Sequence, residues 1–384
     1  MALPARAEIV IIGGGAVGAS TAYHLTRLGC RGVLLLEREA LAAGSTGRSA
    51  GGIRAQFSTE ANVAIMHYSI PVFEHFEELF GVDISFHQDG YLFLLNTPEL
   101  VETFHRNALM QRRYGFDVEE LTPEEARDRF LPQLNIEGLV GATWCGREGY
   151  ADPTSATHGF ANRAREQGAT IRVGVEVTGI EVRGERIEAV QTTEGTVATH
   201  VVICCAGAWS GQIARMVGRE LPVYGWRQQA FFTGPFDLLP ERFPLTIDFA
   251  AGQYLRREGR GLVLGMTDEN EPPGFSTHYD ESWLEQLIPA AIHRFPVLEH
   301  ATIAGGWAGL YDRSPDENAV IGEMDSPSRF LYATGFSGHG FMQSPAVGLS
   351  MAELALYGKT TLDLSEFSVE RFRSGRLIRE AIVI

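Results

Sequence analysis

Several features that would point to other classes of protein are scarce or missing in this sequence of 384 residues. Four cysteines are present, and they form no C-x-x-C pair and no metal-ligand spacing: Cys30, Cys145, Cys204 and Cys205. We therefore expect no metal site, and we expect the cysteines to be core residues of a protein in a reducing cytoplasm. No apolar run approaches the roughly 18 residues of a membrane span. The apolar stretch Ile9–Ile12 is also too short for the core of a secretory signal peptide.

Basic residues are in the minority. The chain has 32 Lys and Arg against 48 Asp and Glu, for a net charge of −16. This balance argues against nucleic acid and anionic membrane surfaces as partners. It leaves room for a small anionic substrate, because a local field can oppose the global charge. The length suggests two domains. The sequence contains no internal repeat, and it leaves open whether the protein forms a homo-oligomer or has a partner subunit.

The N-terminal segment carries the most informative motif. An apolar strand runs into glycines in Glu8-Ile-Val-Ile-Ile-Gly-Gly-Gly-Ala-Val-Gly18, and a second apolar strand ends in Glu37. In this order Gly13 permits a tight turn, Gly15 lets the main chain approach a pyrophosphate, and Gly18 lets helix and strand pack closely. The helix start at Ala16 and Val17 offers free N–H groups to phosphates. The carboxylate of Glu37 can accept hydrogen bonds from ribose hydroxyls, so the segment predicts dinucleotide binding.

Helix-capping residues, glycines and turn residues along the chain predict the following elements. We expect a helix over 15–28 that Gly29 ends, a long helix over about 59–80, and a strand over 89–95. Asp152 is a good N-cap for a further helix that ends before Gly168. Short β segments follow over 170–206, and residues 221–270 are again rich in strand signals.

Nucleotide-type elements therefore lie at both ends and in the middle, with β-rich stretches between them. We expect an α/β fold, with a Rossmann-like dinucleotide domain and a discontinuous, β-rich α+β domain that binds the substrate. The predicted nucleotide domain comprises 1–84, 149–219 and 305–384, and the predicted substrate domain comprises 85–148 and 220–304. A substrate site is expected between the two.

Three further segments make the dinucleotide assignment more specific. They are the glycine-rich loop Gly44-Ser-Thr-Gly-Arg-Ser-Ala-Gly-Gly-Ile-Arg54, the strand end Cys205-Ala-Gly-Ala-Trp-Ser210, and the loop Thr334-Gly-Phe-Ser-Gly-His-Gly-Phe-Met342, which leads into a predicted helix. Together with the N-terminal motif they resemble the FAD-dependent D-amino-acid-oxidase superfamily. The likeness is to its branch of sarcosine oxidases, dimethylglycine dehydrogenases and proline dehydrogenase β-subunits, and it spans about residues 8–372.

The resemblance implies FAD as the cofactor and assigns residues to it. Those expected to hold FAD are Gly13, Gly15, Ala16, Val17, Gly18, Glu37, Arg38, Ser45, Thr46, Arg48, Ser49, Ala50, Gly51, Val177, Ala206, Gly207, Trp209, Gly309, Gly335, Gly338, His339, Gly340, Phe341 and Met342. The glycines allow the main chain to come close to a long cofactor. For His339 we expect the main chain, rather than the imidazole, to matter.

Two departures from the family pattern concern the link to the flavin. Some relatives tether FAD through a histidine in the first loop, where this chain has Gly47 and Arg48. Monomeric sarcosine oxidase uses a cysteine six residues before the proline of a Thr-Pro-Asp motif. Here that motif reads Ser314-Pro-Asp316 and the tethering position is Gly309. We therefore expect non-covalent FAD.

On the substrate side the branch binds a carboxylate next to the amine. Arg54 falls where the family pattern places a carboxylate-binding arginine, although a solvent-facing or phosphate-neutralising arginine would fit equally well. Met342 replaces the second cation of sarcosine oxidase. Tyr254 matches a pocket tyrosine, or is a core residue. Arg54, Tyr254 and Met342 are thus the candidate catalytic residues, with Trp307, Tyr311, Arg227 and Gln228 as weaker candidates.

The sequence also bears on the oxidant. Sarcosine oxidase keeps a lysine beside the flavin within a Gly-Leu-Lys-Leu-Gly stretch, and this chain reads Gly261-Leu-Val-Leu-Gly265. An apolar Val263 cannot supply the positive charge that favours reaction with O2, so we expect a dehydrogenase rather than a fast oxidase.

The resemblance implies oxidation of the C–N bond of an amino acid or N-methyl amino acid by hydride transfer to flavin N5, followed by hydrolysis of the imine. Alternatives are a flavin-carrying subunit or assembly factor without turnover, and a flavoenzyme acting on a 2-hydroxy acid. The electron acceptor and the substrate's handedness are left open.

Overall fold

The computed structural model of the protein describes residues 3–382. The strands of this part are β1 Ile9–Ile12, β2 Val33–Glu37, β3 Gly52–Ile53, β4 Tyr91–Leu95, β5 Val118–Leu121, β6 Gly141–Cys145, β7 Gly149–Tyr150, β8 Thr170–Val173, β9 Val177–Arg183, β10 Arg186–Thr192, β11 Gly195–Ala198, β12 Val202–Cys204, β13 Tyr224–Thr233, β14 Leu245–Asp248, β15 Gln253–Glu258, β16 Gly261–Met266, β17 Ile303–Arg313, β18 Val320–Glu323 and β19 Phe330–Thr334.

The α-helices of the same part alternate with these strands in the first half of the chain and become sparser in the second. They are α1 Ala16–Arg27, α2 Glu60–Glu74, α3 Phe76–Phe80, α4 Pro98–Arg113, α5 Pro123–Phe130, α6 Pro153–Glu166, α7 Ser210–Arg215, α8 Leu284–Arg294, α9 Gly340–Tyr357 and α10 Glu370–Ser374.

A six-stranded sheet carries the N-terminal motif. Its order is β18-β19-β12-β1-β2-β8, and all its pairs are parallel except β18 with β19. The central strands β1 and β12 are buried on both faces, as their continuous apolar sequence predicts. This is the Rossmann-like arrangement that places the carboxyl ends of β1, β2 and β12 at one edge.

Helices cover one face of this sheet. Residues of α1, α2, α6 and α9 join Ile9, Ile11 and Leu35 in one buried apolar cluster. The helices α1 and α9 come very close, since a Cβ built on Gly348 of α9 would lie 2.2 Å from the hydroxyl of Ser20. On the other face, the small antiparallel sheet β11-β10-β9 contributes Ile187, Val190 and others to a second cluster.

A second, eight-stranded sheet has the order β17-β13-β16-β15-β14-β4-β6-β5. Its pairs are antiparallel except β14 with β4, and the long strands β13 and β17 pair over most of their length. One face packs against apolar residues of α5 and α8. The predicted α/β fold class, with a mostly parallel Rossmann-like sheet and a separate β-rich part, is confirmed.

Local expectations compare well with the observed elements. The first helix starts at Ala16 and ends at Arg27, and Asp152 caps α6 by accepting from the main-chain N–H groups of Thr154 and Ser155. The helix expected over 59–80 is instead two helices with His75 between them. The domain boundaries stay a prediction. No helix of the described residues combines the length and the apolar character needed to cross a bilayer.

Candidate active site

One large cleft, of about 460 Å³, opens where the carboxyl edge of the parallel sheet meets the eight-stranded sheet. It runs from the glycine loop after β1, past the loop 43–50, to the start of α9. Strands β13, β14, β15 and β17 supply its opposite wall through residues such as Ala230, Ile247, Tyr254 and Trp307. A site between the two sheets was the arrangement expected from the sequence.

The glycine loop has the close main-chain contacts that its spacing predicts. Gly13 has φ +114°, and a Cβ there would lie 2.3 Å from the carbonyl oxygen of Cys205. A Cβ on Gly18 would lie 2.0 Å from the carbonyl oxygen of Gly13. No side chain fits at either position, so the strand, the turn and α1 approach each other only because both residues are glycine.

Glu37 stands at the end of β2, where its carboxylate organises the nucleotide end of the cleft. Its Oε2 accepts from the N–H of Gly14 at 2.7 Å, and its Oε1 accepts from the N–H of Glu39 at 2.8 Å. At the start of α1, the N–H of Ala16 donates to Oγ1 of Thr46 at 3.2 Å. Each carboxylate oxygen keeps capacity for a further hydrogen bond, such as one from a ribose hydroxyl.

An aromatic stack borders the same end of the cleft. The guanidinium of Arg38 lies 4.2 Å from the ring centre of Trp209, and Phe275 stacks on Trp209 at 5.6 Å. Arg38 and Trp209 were predicted from the sequence. Phe275 was not, because it lies in the loop between β16 and α8 and only tertiary packing brings it there.

Arg54 lies in the cleft wall directly after β3, and it is buried. Its Nη2 donates to the carbonyl oxygen of Ile382 at 2.8 Å, and its Nη1 donates to the carbonyl oxygen of Gln56. Its guanidinium also lies 4.1 Å from the ring centre of Phe57. Arg54 forms no ion pair with any carboxylate of residues 3–382. The buried guanidinium faces the cleft. Burial lowers its pKa, and the more distant charges of Glu380 and Glu148 oppose that shift.

The second group at this cation is His339, at the start of α9. Its Nε2 lies 3.0 Å from Nη2 of Arg54, and its ring meets that of Phe57 edge-on at 5.0 Å. Burial, followed by the neighbouring Arg54, holds the pKa of the imidazole well below its usual range. The ring thus packs against the arginine, and the expectation that the main chain of His339 alone matters for FAD stays a prediction.

Three tyrosines line the cleft, and two of them, Tyr91 and Tyr311, lie near enough to Arg54 to interact with its charge. Burial raises the pKa of Tyr91, Tyr254 and Tyr311, so all three hydroxyls stay protonated at ordinary pH. The ring of Tyr254 packs on Gly265 and that of Tyr311 packs on Gly338, where a Cβ would lie 2.3 Å and 2.6 Å from ring atoms. Tyr254 thus lines the cleft as predicted. Tyr91 was missed, because only the pairing of β4 with β14 places it here.

Most of the predicted cofactor residues line the cleft, and three do not. Gly18 packs on Gly13 as described. Gly51 has φ +76° and lies against the carbonyl oxygen of Ala151, while Gly335 has φ +71° and lies against Val320. These three glycines shape the main chain around the cleft instead of bordering it. Of the weaker candidates, Arg227 is paired with Glu271 outside the lining, whereas Gln228, Trp307 and Tyr311 border the cleft.

Val263 also lies outside the lining and is fully buried in β16. The cleft nevertheless contains no lysine at all, because the only lysine of the sequence, Lys359, is exposed beyond the end of α9. Met342, at the start of α9, borders the cleft.

These features fit FAD. A glycine cradle, the N-terminus of α1 and the carboxylate of Glu37 suit the ADP half, and the cleft continues to Arg54 and His339 without interruption. At the two positions that tether FAD in some relatives, this protein has no room for a side chain. A Cβ on Gly47 would lie 2.6 Å from the carbonyl oxygen of Ala42, and one on Gly309 would lie 2.9 Å from Cβ of Arg48. Among residues 3–382, no group of three or more His, Cys, Asp or Glu side chains is arranged to hold a metal ion.

Comparison with known proteins agrees with the interpretation that the cleft binds FAD. The sequence model of the family described as FAD dependent oxidoreductase matches residues 8–354. The crystal structure of L-proline dehydrogenase from P. horikoshii superposes with a TM-score of 0.92 at 36% identity, covering 98% of this chain and 100% of that one.

Curated relatives show the same likeness. Mitochondrial dimethylglycine dehydrogenase of Rattus norvegicus is 32% identical over 96% of this chain, which spans only 45% of the relative's length. FAD-dependent oxidoreductase domain-containing protein 1 of Bos taurus is 32% identical over 99% of this chain and 88% of its own length. The chain thus belongs to the family of FAD-dependent oxidoreductases that its glycine motifs and cleft resemble, and FAD is its cofactor.

Proposed function

We propose that this protein oxidises the carbon–nitrogen bond of a small amino acid or N-methyl amino acid, with FAD bound non-covalently. The observation that carries the proposal is Arg54, a buried guanidinium that faces the cleft without an ion-pair partner among the described residues. A buried charge is costly unless it is paired. A substrate carboxylate would supply a direct ion-pair partner, because Nε and Nη1 of the guanidinium each keep an N–H that donates to none of the described residues.

The surrounding side chains limit what else the substrate can carry. The wall of the cleft includes the rings of Tyr91 and Tyr254 and the apolar Leu245 and Ile247. Such a wall favours a substrate with one carboxylate and a small uncharged substituent on carbon or nitrogen. The names of similar proteins agree, since they are dehydrogenases of L-proline and of dimethylglycine.

The protein's part in the reaction is orientation and exclusion of water. Arg54 fixes the carboxylate, the tyrosine rings limit rotation of the bound molecule, and the cleft holds the amine with its lone pair free. The acceptor for the hydride that leaves the carbon next to the nitrogen would be supplied by bound FAD. The resulting imine is hydrolysed in water. Because no lysine borders the cleft, we propose a dehydrogenase in preference to a fast oxidase.

Anaerobic mixing with a panel of amino and N-methyl amino acids tests the proposal. Loss of the oxidised-flavin absorption band with at least one of them is expected. Arg54→Lys should lower kcat/KM for that compound about tenfold or more and abolish the preference for the free acid over its methyl ester. Arg106→Lys, on the exposed face of α4, is the matched control and should behave like wild type. Equal turnover of acid and ester by the wild type would contradict the role of Arg54.

A further inference from the structure

A buried carboxylate lies close to Arg54 although no motif singles it out. Glu148, in the turn between β6 and β7, is completely buried. Its Oε1 accepts from the main-chain N–H groups of Ala55 at 2.5 Å and Gln56 at 2.8 Å, and its Oε2 accepts from the side-chain amide of Gln56 at 2.7 Å. The carboxylate thus forms hydrogen bonds with the two residues that directly follow Arg54.

This arrangement differs from a structural salt bridge. Glu148 forms no ion pair within residues 3–382, and its partners are three N–H groups. Burying a carboxylate without a direct cation is unfavourable unless hydrogen bonds compensate for it. Two main-chain donors and an amide do so here, and they fix the conformation of the segment from 54 to 56.

The same segment holds the guanidinium. Nη1 of Arg54 donates to the carbonyl oxygen of Gln56, and the amide oxygen of Gln56 accepts from Oγ1 of Thr143 at 2.7 Å. A continuous set of hydrogen bonds therefore leads from Glu148 through Gln56 to the guanidinium. We infer that Glu148 is a positioning residue that holds the guanidinium of Arg54 in the orientation that receives the substrate carboxylate. This inference rests on the proposed role of Arg54.

Electrostatics supports the assignment. Burial raises the pKa of the Glu148 carboxyl to about 7, and the hydrogen bonds from Gln56 and Ala55, with the charge of Arg54, oppose that rise. The charged groups nearest to Glu148 thus include the cation it orients.

Three variants separate position from charge. Glu148→Gln removes the charge but keeps the hydrogen bonds, since its Oε1 can accept from both main-chain N–H groups. Its Nε2 can then donate to Gln56 once that amide turns over and the hydroxyl of Thr143 accepts, and this gives up only the 3.4 Å bond from the amide of Gln56 to the carbonyl oxygen of Tyr91. Glu148→Asp keeps the charge but withdraws the oxygens by one methylene. Glu148→Ala leaves three N–H groups without an acceptor.

The measurement uses the FAD-loaded enzyme without turnover. Tetrahydrofuran-2-carboxylate, which has no amine to oxidise, and its methyl ester are titrated while the flavin absorption spectrum is recorded. We expect Glu148→Asp and Glu148→Ala to weaken binding of the acid by about tenfold or more, with ester binding and FAD content unchanged. We expect Glu148→Gln to bind the acid within about threefold of wild type.

Two results would overturn the inference. One is acid binding by Glu148→Asp that equals wild type, and the other is a loss by Glu148→Gln as large as that of Glu148→Asp, which would make charge the decisive property. If Glu148→Ala fails to fold, the comparison of Asp with Gln still decides. Arg54→Lys separates this inference from the proposed function. If Arg54→Lys keeps the preference for acid over ester, both the proposed function and this inference fail. If Arg54→Lys loses that preference while Glu148→Asp binds the acid as well as wild type does, only the role of Glu148 is refuted.

Discussion

The imidazole of His339 and the guanidinium of Arg54 meet at 3.0 Å, Nε2 to Nη2, although the two residues are 285 positions apart in the sequence. A guanidinium has only N–H donors, so Nε2 must accept and the ring proton must reside on Nδ1. The lowered pKa of His339 agrees with this neutral form. The histidine therefore supports the cation without repelling it.

Replacement of His339 should reveal this support. His339→Leu removes the acceptor and should raise the activation free energy calculated from kcat/KM by about 1–3 kcal/mol. His339→Gln can accept through its amide oxygen, so its activation free energy should rise less. Because the imidazole is already neutral, the pH profile between about pH 5 and 8 should be the same for wild type and His339→Gln. A wild-type inflection near pH 6.5, the usual histidine value, that His339→Gln abolishes would contradict the neutral assignment.

FAD should be released completely on denaturation. Gly47 and Gly309 replace the residues that tether it in some relatives, and Cys205, which borders the cleft, is a poor nucleophile because burial raises the pKa of its thiol. Acid precipitation should leave all yellow colour in the supernatant. Flavin fluorescence that stays with the denatured polypeptide on a gel would show a covalent link.

Glu37 should govern retention of the cofactor. Glu37→Ala removes the acceptor of the N–H groups of Gly14 and Glu39 as well as the expected ribose contact. We expect FAD affinity to fall by about 1–3 kcal/mol, measured as the dissociation constant of FAD for the apoprotein by fluorescence quenching. Glu99→Ala, exposed on α4, is the control. FAD affinity equal to wild type would remove Glu37 from the site.

The reduced enzyme should react slowly with O2 and faster with an artificial acceptor such as a quinone. No lysine borders the cleft, and a tenfold change in rate needs only about 1.4 kcal/mol of lost charge stabilisation. Stopped-flow reoxidation measures both rates. Met342→Lys, within the lining, should speed the reaction with O2, whereas Tyr357→Lys, exposed near the end of the same helix, should not. Reoxidation of the wild type by O2 as fast as its reduction by substrate would identify an oxidase.

Stability should depend on pH through Glu148. Its pKa of about 7 in the folded protein exceeds the value of about 4.3 for an exposed Glu. The folded state therefore binds this proton more tightly, and the stabilisation, complete below about pH 4.3, is lost as the pH rises through about 7. Glu148→Gln lacks this proton, so the Tm of the variant minus that of wild type should increase between about pH 5 and 8. Calorimetry at constant ionic strength measures it, and a decreasing difference would contradict the raised pKa.

Much of the lining of the candidate cofactor cleft could be predicted from the sequence alone. The glycines at 13, 15 and 18, the strand before them and Glu37 belong to one strand–helix–strand unit, in which spacing along the chain determines which atoms meet. The steric reasons are local, since a Cβ at Gly18 would meet the main chain of Gly13 only a few residues away. Short-range geometry of this kind is readable as a motif.

The surroundings of Arg54 were decided only by tertiary structure. His339 and the carbonyl oxygen of Ile382 reach the arginine from the start of α9 and from the segment after α10, and Glu148 binds the next residue, Ala55, from the β6–β7 turn. Tyr91 arrives through the parallel pairing of β4 with β14. No periodicity or spacing encodes such contacts, because they depend on how distant strands pair and how the two sheets pack. The sequence thus determined that the chain binds a dinucleotide, while the packing of the sheets determined that its buried arginine faces the cleft without an ion-pair partner among residues 3–382.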